Sequence, residues 1–230
     1  MDFSGVGFFG DSWVAGAEAN EIDSTDSPEY AFPTYFENSK NLSISGASND
    51  IMLHVLLENL DRINTAVFCL TDPSRRYFVD DDNIEIDGEN SRDWFTQQKK
   101  YEMLYRTLLS LSNDLNDDLI VSKTCLLMYY MCRMHNISCY FLNLFSGQYG
   151  VSPFWKMIPD ELWLTPLRSN IVKEVFDTQG WYPEYPNVGD FNYWLQDNNS
   201  DVQKYIKPCK YHPNKTGQRA IADFIKSKLK

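Results

Sequence analysis

The chain reads as an α/β protein, with a three-layer α/β/α arrangement around a mostly parallel central sheet. Three observations carry that expectation. Short apolar runs alternate with longer amphipathic ones, the short runs read as strands buried on both faces, and turn residues punctuate the boundaries.

In chain order, "GVGFFGD" (residues 5–11) reads as a short buried strand ending in a turn. "NLSISG" at 41–46 and "INTAVFCLT" at 63–71 read the same way. Between them, "ASNDIMLHVLLENLDRI" sets Ile51, Met52, Val55, Leu56 and Leu60 at helical spacing. Two more helical runs follow, "FTQQKKYEMLYRTLLSLSND" at 95–114 and "SKTCLLMYYMCRMHN" at 122–136, and then the strand candidate "ISCYFLNLF". The tail "NKTGQRAIADFIKSKLK" is an amphipathic helix with Ala220, Ile221, Phe224, Ile225 and Leu229 on one side.

Two segments interrupt the alternation within what reads as one unit over residues 1–230. An acidic loop spans about 77–92. Placing Gly88 at the sixth position of a calcium loop puts Asn83 first, Glu85 third and Trp94 twelfth, which is the wrong ligand set, so the loop reads as solvated. An insertion at about 146–208 holds six prolines and a dense aromatic set: Trp155, Trp163, Trp181, Tyr182, Tyr185, Tyr193 and Trp194. Such rings either line a pocket or pack beneath long loops, and for most of them packing in a core of their own is the expectation.

A net charge of -11 opposes phosphate-backbone binding, so no nucleic-acid partner is expected. No run approaches the roughly 20 apolar residues of a membrane span, and the first residues lack the pattern of a signal peptide. A soluble, cytoplasmic or otherwise unexported protein without membrane contact follows as the expectation. Cys69, Cys125, Cys132, Cys139 and Cys209 form no C-x-x-C pair, so buried reduced thiols are expected, with no metal and no cofactor.

The opening stretch supports two chemistries. Gly5, Gly7 and Gly10 spell G-x-G-x-x-G, yet a dinucleotide fingerprint needs a strand before its glycines, and only four residues precede Gly5. Ser12, by contrast, follows a strand and the Gly10-Asp11 turn. It would stand at a helix start on the carboxyl edge of the sheet, where backbone N–H groups can face an oxyanion. A serine nucleophile needs a base. His54 and His135 lie within or at the end of helical runs and read as structural, whereas His212 lies in a loop before the last helix and can project over that edge.

With these residues in view, the sequence resembles the SGNH or GDSL hydrolases, whose domains are flavodoxin-like. "GDSWVAG" matches the first block at Gly10, Asp11, Ser12 and Gly16, "NLSISGAS" supplies the second-block Gly46, and "HPNKTGQRAIADFI" matches the last. The resemblance implies Ser12 as nucleophile, His212 as base, and the N–H groups of Ser12 and Gly46 as oxyanion donors. It implies hydrolysis of a small acyl ester, an acetyl group on a carbohydrate fitting best.

Two positions depart from that pattern. The third block, Gly-x-Asn-Asp in the family, is "CLTDPSRR" here, with Cys69 and Thr71 at the Gly and Asn positions. Thr71, Ser74, Arg75 or Arg76 would have to replace the side-chain donor, and an arginine would either hold an acidic group or be solvated. The acid three residues before the histidine is Cys209, so Asp190, Asp201 or a backbone carbonyl takes its place, or a Ser-His dyad works alone. Asp11 is a further supporting candidate. These departures keep a second reading open, a binding or structural module that retains the fold without turnover.

Overall fold

The computed structural model describes residues 3–17, 19, 28–71, 114–144, 150–171, 174–175, 212–213 and 215–229. Within them, four strands form one sheet: β1 (Val6–Phe9), β2 (Lys40–Asn41), β3 (Thr65–Leu70) and β4 (Ser138–Asn143), in the order β2-β1-β3-β4. Every pairing is parallel, with Phe9 opposite Phe68 and Phe68 opposite Phe141. The fold is α/β, as the alternation of elements predicts.

Alternate strand residues enter two separate cores. Val6, Phe8, Val67, Cys69 and Leu142 meet α1 (Ser12–Ala15), the 3₁₀ turn Phe32–Tyr35 and α4 (Lys215–Lys228). Phe9, Ala66, Phe68, Leu70 and Phe141 meet α2 (Asn49–Leu57) and α3 (Asp114–Met134). Helices therefore cover both faces, and burial of each large side chain contributes about 1.5–3 kcal/mol. Across the second face the rings of Phe9, Phe68, Phe141 and Trp163 run in a row, at centroid spacings of 5.0, 5.4 and 5.1 Å.

The helices follow their sequence periods. In α3, Val121, Cys125, Met128 and Cys132 are buried at spacings of four and three. It ends where Asn136 takes φ 56°, with Ile137 N donating to Cys132 O at 2.8 Å and Asn136 N to Arg133 O at 3.2 Å, a Schellman closure. In α4, Gln218, Ile221, Ala222 and Ile225 form the inner stripe.

Three expectations change. "NLSISG" is a strand only at its first residue, although Leu42 N and Ile44 N still donate to Phe8 O and Gly10 O at 2.8 and 3.0 Å; the Ser43 N–H, on the side of this edge strand left open among the described residues, is taken by Asn41 Oδ1 instead of a further strand. Helix α2 stops at Leu57, short of the run that reaches Ile63 in the sequence, and turns bonded from Asn59 to Leu56 and from Arg62 to Asn59 fill the rest. Trp155 is packed in the main core, not in a core of the insertion's own, because Asp118 draws its segment in. That buried carboxylate accepts from the N–H groups of Gly150, Val151 and Ser152 and from Trp155 Nε1 at 2.6 to 3.1 Å. The helical run at 95–113, the acidic loop and most of the aromatic insertion lie outside the described residues.

Among the described residues no helix is long and apolar enough to cross a membrane, and no cluster of His, Cys, Asp and Glu could hold a metal. Cys69, Cys125, Cys132 and Cys139 are free and buried. Burial pushes the Cys69 thiol well above its usual range, with the Asp11 charge adding to it, and burial does the same for Cys125. Above the ordinary thiol value of 9.0 the unfolded chain releases protons that the folded chain keeps. Stability is therefore expected to be complete below that pH and to fall as pH rises past it, which urea unfolding at a series of alkaline pH values measures; Cys69→Ala together with Cys125→Ala should flatten the slope.

Candidate active site

The turn that presents Ser12 is built from Gly10 outward. A Cβ on Gly10 would collide with the Val14 side chain and crowd Cys69, so α1 can lie directly over the strand end only if residue 10 is glycine. Asp11 is the N-cap: Oδ1 accepts from Trp13 N at 3.0 Å and its carbonyl accepts from Val14 N and Ala15 N. Gly16 closes the helix at φ 80°.

A four-residue helix leaves most of its carbonyls without partners of its own. Here the Ser12 carbonyl is met locally, by Gly16 N at the C-cap as well as by Ala17 N, and the next two are met from distant segments. Ala17 N donates to Ser12 O at 3.0 Å, Gln218 Nε2 to Trp13 O at 2.9 Å, and Asn41 Nδ2 to Val14 O at 2.9 Å. Gln218 Oε1 also accepts from Phe32 N at 2.9 Å.

Ser12, half-buried, meets His212 across 200 residues of chain: Oγ lies 2.8 Å from Nε2. For Ser12 to donate in that contact, Nε2 must be the bare nitrogen and Nδ1 the protonated one. His54 lies on the exposed side of α2, 3.5 Å from Glu58, and His135 is in the turn after α3. Of the three histidines, the structure brings only His212 to the serine.

Gly46 lies in a loop tied to the same strand end, since Ile44 N donates to Gly10 O at 3.0 Å. Its φ is 82°, a left-handed conformation, and a Cβ there would meet nothing within 4 Å. Conformation, not crowding, demands glycine at this position. The N–H groups of Ser12 and Gly46 donate to no backbone carbonyl among the described residues.

Thr71 departs from its expected use as an oxyanion donor. It is fully buried, and its one hydroxyl proton goes to Asp11 Oδ2 at 2.8 Å. Asn49, at the start of α2, holds the Thr71 backbone from both sides: Oδ1 accepts from its N–H at 3.0 Å and Nδ2 donates to its carbonyl at 3.3 Å. Thr71 thus supports the N-cap of the serine turn. Asp11 joins the two, as cap of the serine helix and acceptor of the Thr71 hydroxyl.

Sequence reasoning passed over Asn41, Asn49 and Gln218. Gln218 left one signal, a polar residue on an otherwise apolar helix stripe. Ser74, Arg75, Arg76, Asp190, Asp201 and Cys209 lie outside the described residues.

Neither a family model nor a curated protein matches the sequence. Among solved structures, a candidate GDSL-like lipase from Parabacteroides merdae aligns over 99 % of this chain and 96 % of its own, with 12 % identity and a TM-score of 0.43. A likeness at that level carries no weight for family or chemistry. The site is therefore read from its own geometry.

Two substitutions test how the turn is held. Gly10→Ala should cost about 1–3 kcal/mol of stability by overpacking Val14. Thr71→Val keeps the shape, leaves Asp11 Oδ2 without that donor, and should cost about 1–3 kcal/mol. Urea unfolding midpoints measure both.

Proposed function

We propose that the chain is a serine hydrolase acting on small acyl esters, with Ser12 as nucleophile and His212 as general base. The observation that carries this reading is the 2.8 Å contact between Ser12 Oγ and His212 Nε2 at the carboxyl edge of a parallel sheet. A hydroxyl so placed loses its proton to the imidazole as it attacks an ester carbonyl. The N–H groups of Ser12 and Gly46 would then face the developing oxyanion, and His212 would return the proton to the leaving alcohol. Water attacks the acyl-serine in the second half, with His212 again taking a proton.

An acetyl ester on a carbohydrate is the substrate proposed, with neither nucleic acid nor membrane as partner. Trp155 belongs to the sheet core and Trp163 packs against it, so neither is proposed for sugar contact. One observation favours a slow enzyme or a silent binding module: the Thr71 hydroxyl is spent on Asp11. A missing oxyanion donor costs about 10²–10³ in rate.

Nitrophenyl acetate turnover and labelling by a fluorophosphonate decide between the two. The wild type should turn over the ester and take one label per chain. Ser12→Ala should lose both, and His212→Ala should slow turnover by about 10³ or more. Unchanged turnover in Ser12→Ala would overturn the assignment. A folded wild type that neither turns over nor labels would favour the binding module.

A further inference from the structure

We infer that Gln218 is a positioning residue for the Ser12–His212 pair, a role that rests on the hydrolase reading for its consequence in rate. Its carboxamide is fully buried and makes two hydrogen bonds of 2.9 Å, from Nε2 to the carbonyl of Trp13 and from the Phe32 N–H to Oε1. Trp13 is the residue after the nucleophile, and Gln218 lies six residues after the base, in the helix that the His212 loop enters.

The chemistry of the two partners selects an amide. Trp13 O belongs to a helix too short to supply it with a donor. Phe32 N–H opens a 3₁₀ turn whose N-cap, Ala31, offers no side-chain acceptor. A donor and an acceptor are needed on one side chain, pointing to two different segments, and a carboxamide provides both. On the inner stripe of α4 its neighbours are Gly217, Ile221, Ala222 and Ile225, where an apolar residue would fill the space but leave both groups unsatisfied.

Gln218 therefore couples the placement of α4 to that of α1. Sliding one helix against the other changes the Nε2 to Oγ separation directly. A misplacement of about 1 Å at reacting atoms can cost about 10² in rate.

The test compares Gln218→Met, which fills the space without either bond, and Gln218→Glu, which keeps the acceptor for Phe32 N–H but turns a carboxylate toward Trp13 O. The first readout needs no turnover: the His212 ring resonances by NMR, with and without Ser12→Ala. In the wild-type background that substitution should shift them, and in both Gln218 variants the response should be largely lost. The second readout is kinetic: kcat for nitrophenyl acetate and the fluorophosphonate labelling rate should fall about 10- to 100-fold, with KM within about twofold.

Met128→Ala, on the opposite face of the sheet, is the control for lost stability alone and should retain kcat below its unfolding temperature. If Gln218→Met does not fold, Gln218→Glu supplies the same comparisons. A full His212 response to Ser12→Ala in a folded Gln218 variant would overturn the positioning role. An inert wild type would overturn the hydrolase reading and leave the NMR comparison to decide the role of Gln218.

Discussion

A helix of four residues closes few of its own hydrogen bonds, and the serine at this sheet edge opens such a helix. Its geometry is borrowed. Asp11 caps it while bonded to Thr71 at the end of β3, Asn41 reaches it from β2, and Gln218 reaches it from α4. Asp11, Thr71 and Gln218 are buried polar groups whose loss would strand their partners, and Asn41 adds a bond from the exposed edge strand. The position of Ser12 thus reports the placement of the two neighbouring strands and of the last helix.

Those placements depend in turn on the parallel register. Phe9, Phe68 and Phe141 lie side by side only because β1, β3 and β4 pair in that alignment, and a shift of one residue would send each ring to the opposite core. With the register held by packing, the carboxyl ends of β1 and β3 lie together. Gly10 and Asp11 leave one and Thr71 leaves the other, so Thr71 can meet Asp11 and Ile44 can meet Gly10. The same edge receives the loop that carries His212.

Much of this was legible in the sequence, and the reasons differ by residue. The short, nearly continuous apolar runs "VGFF" and "TAVFCL" identify strands because a strand covered on both faces buries the side chains of both its sides. Helical spacing around Met128 and Ile225 identifies helices for the analogous reason. "NLSISG" misled because its apolar alternation is real while its place at the sheet edge, where no further strand pairs with it among the described residues, is not a local property. Trp155 misled because Asp118, 37 residues away in the sequence, decides where its segment packs.

From the sequence alone came the α/β class, the apolar faces of its helices, the turn that carries Ser12, and the position of His212 in a loop where His54 and His135 belong to helical runs. These are local properties, set by periodicity, by glycine's lack of a side chain, and by which residues can cap a helix. Only the tertiary structure decided that Ser12 Oγ and His212 Nε2 meet at 2.8 Å, that Thr71 turns its hydroxyl to Asp11, and that Gln218 bridges Trp13 and Phe32. A polar side chain carries the same donors and acceptors wherever it stands in a sequence. Which of them it uses depends on the unsatisfied groups that folding brings beside it, here from segments up to 205 residues away.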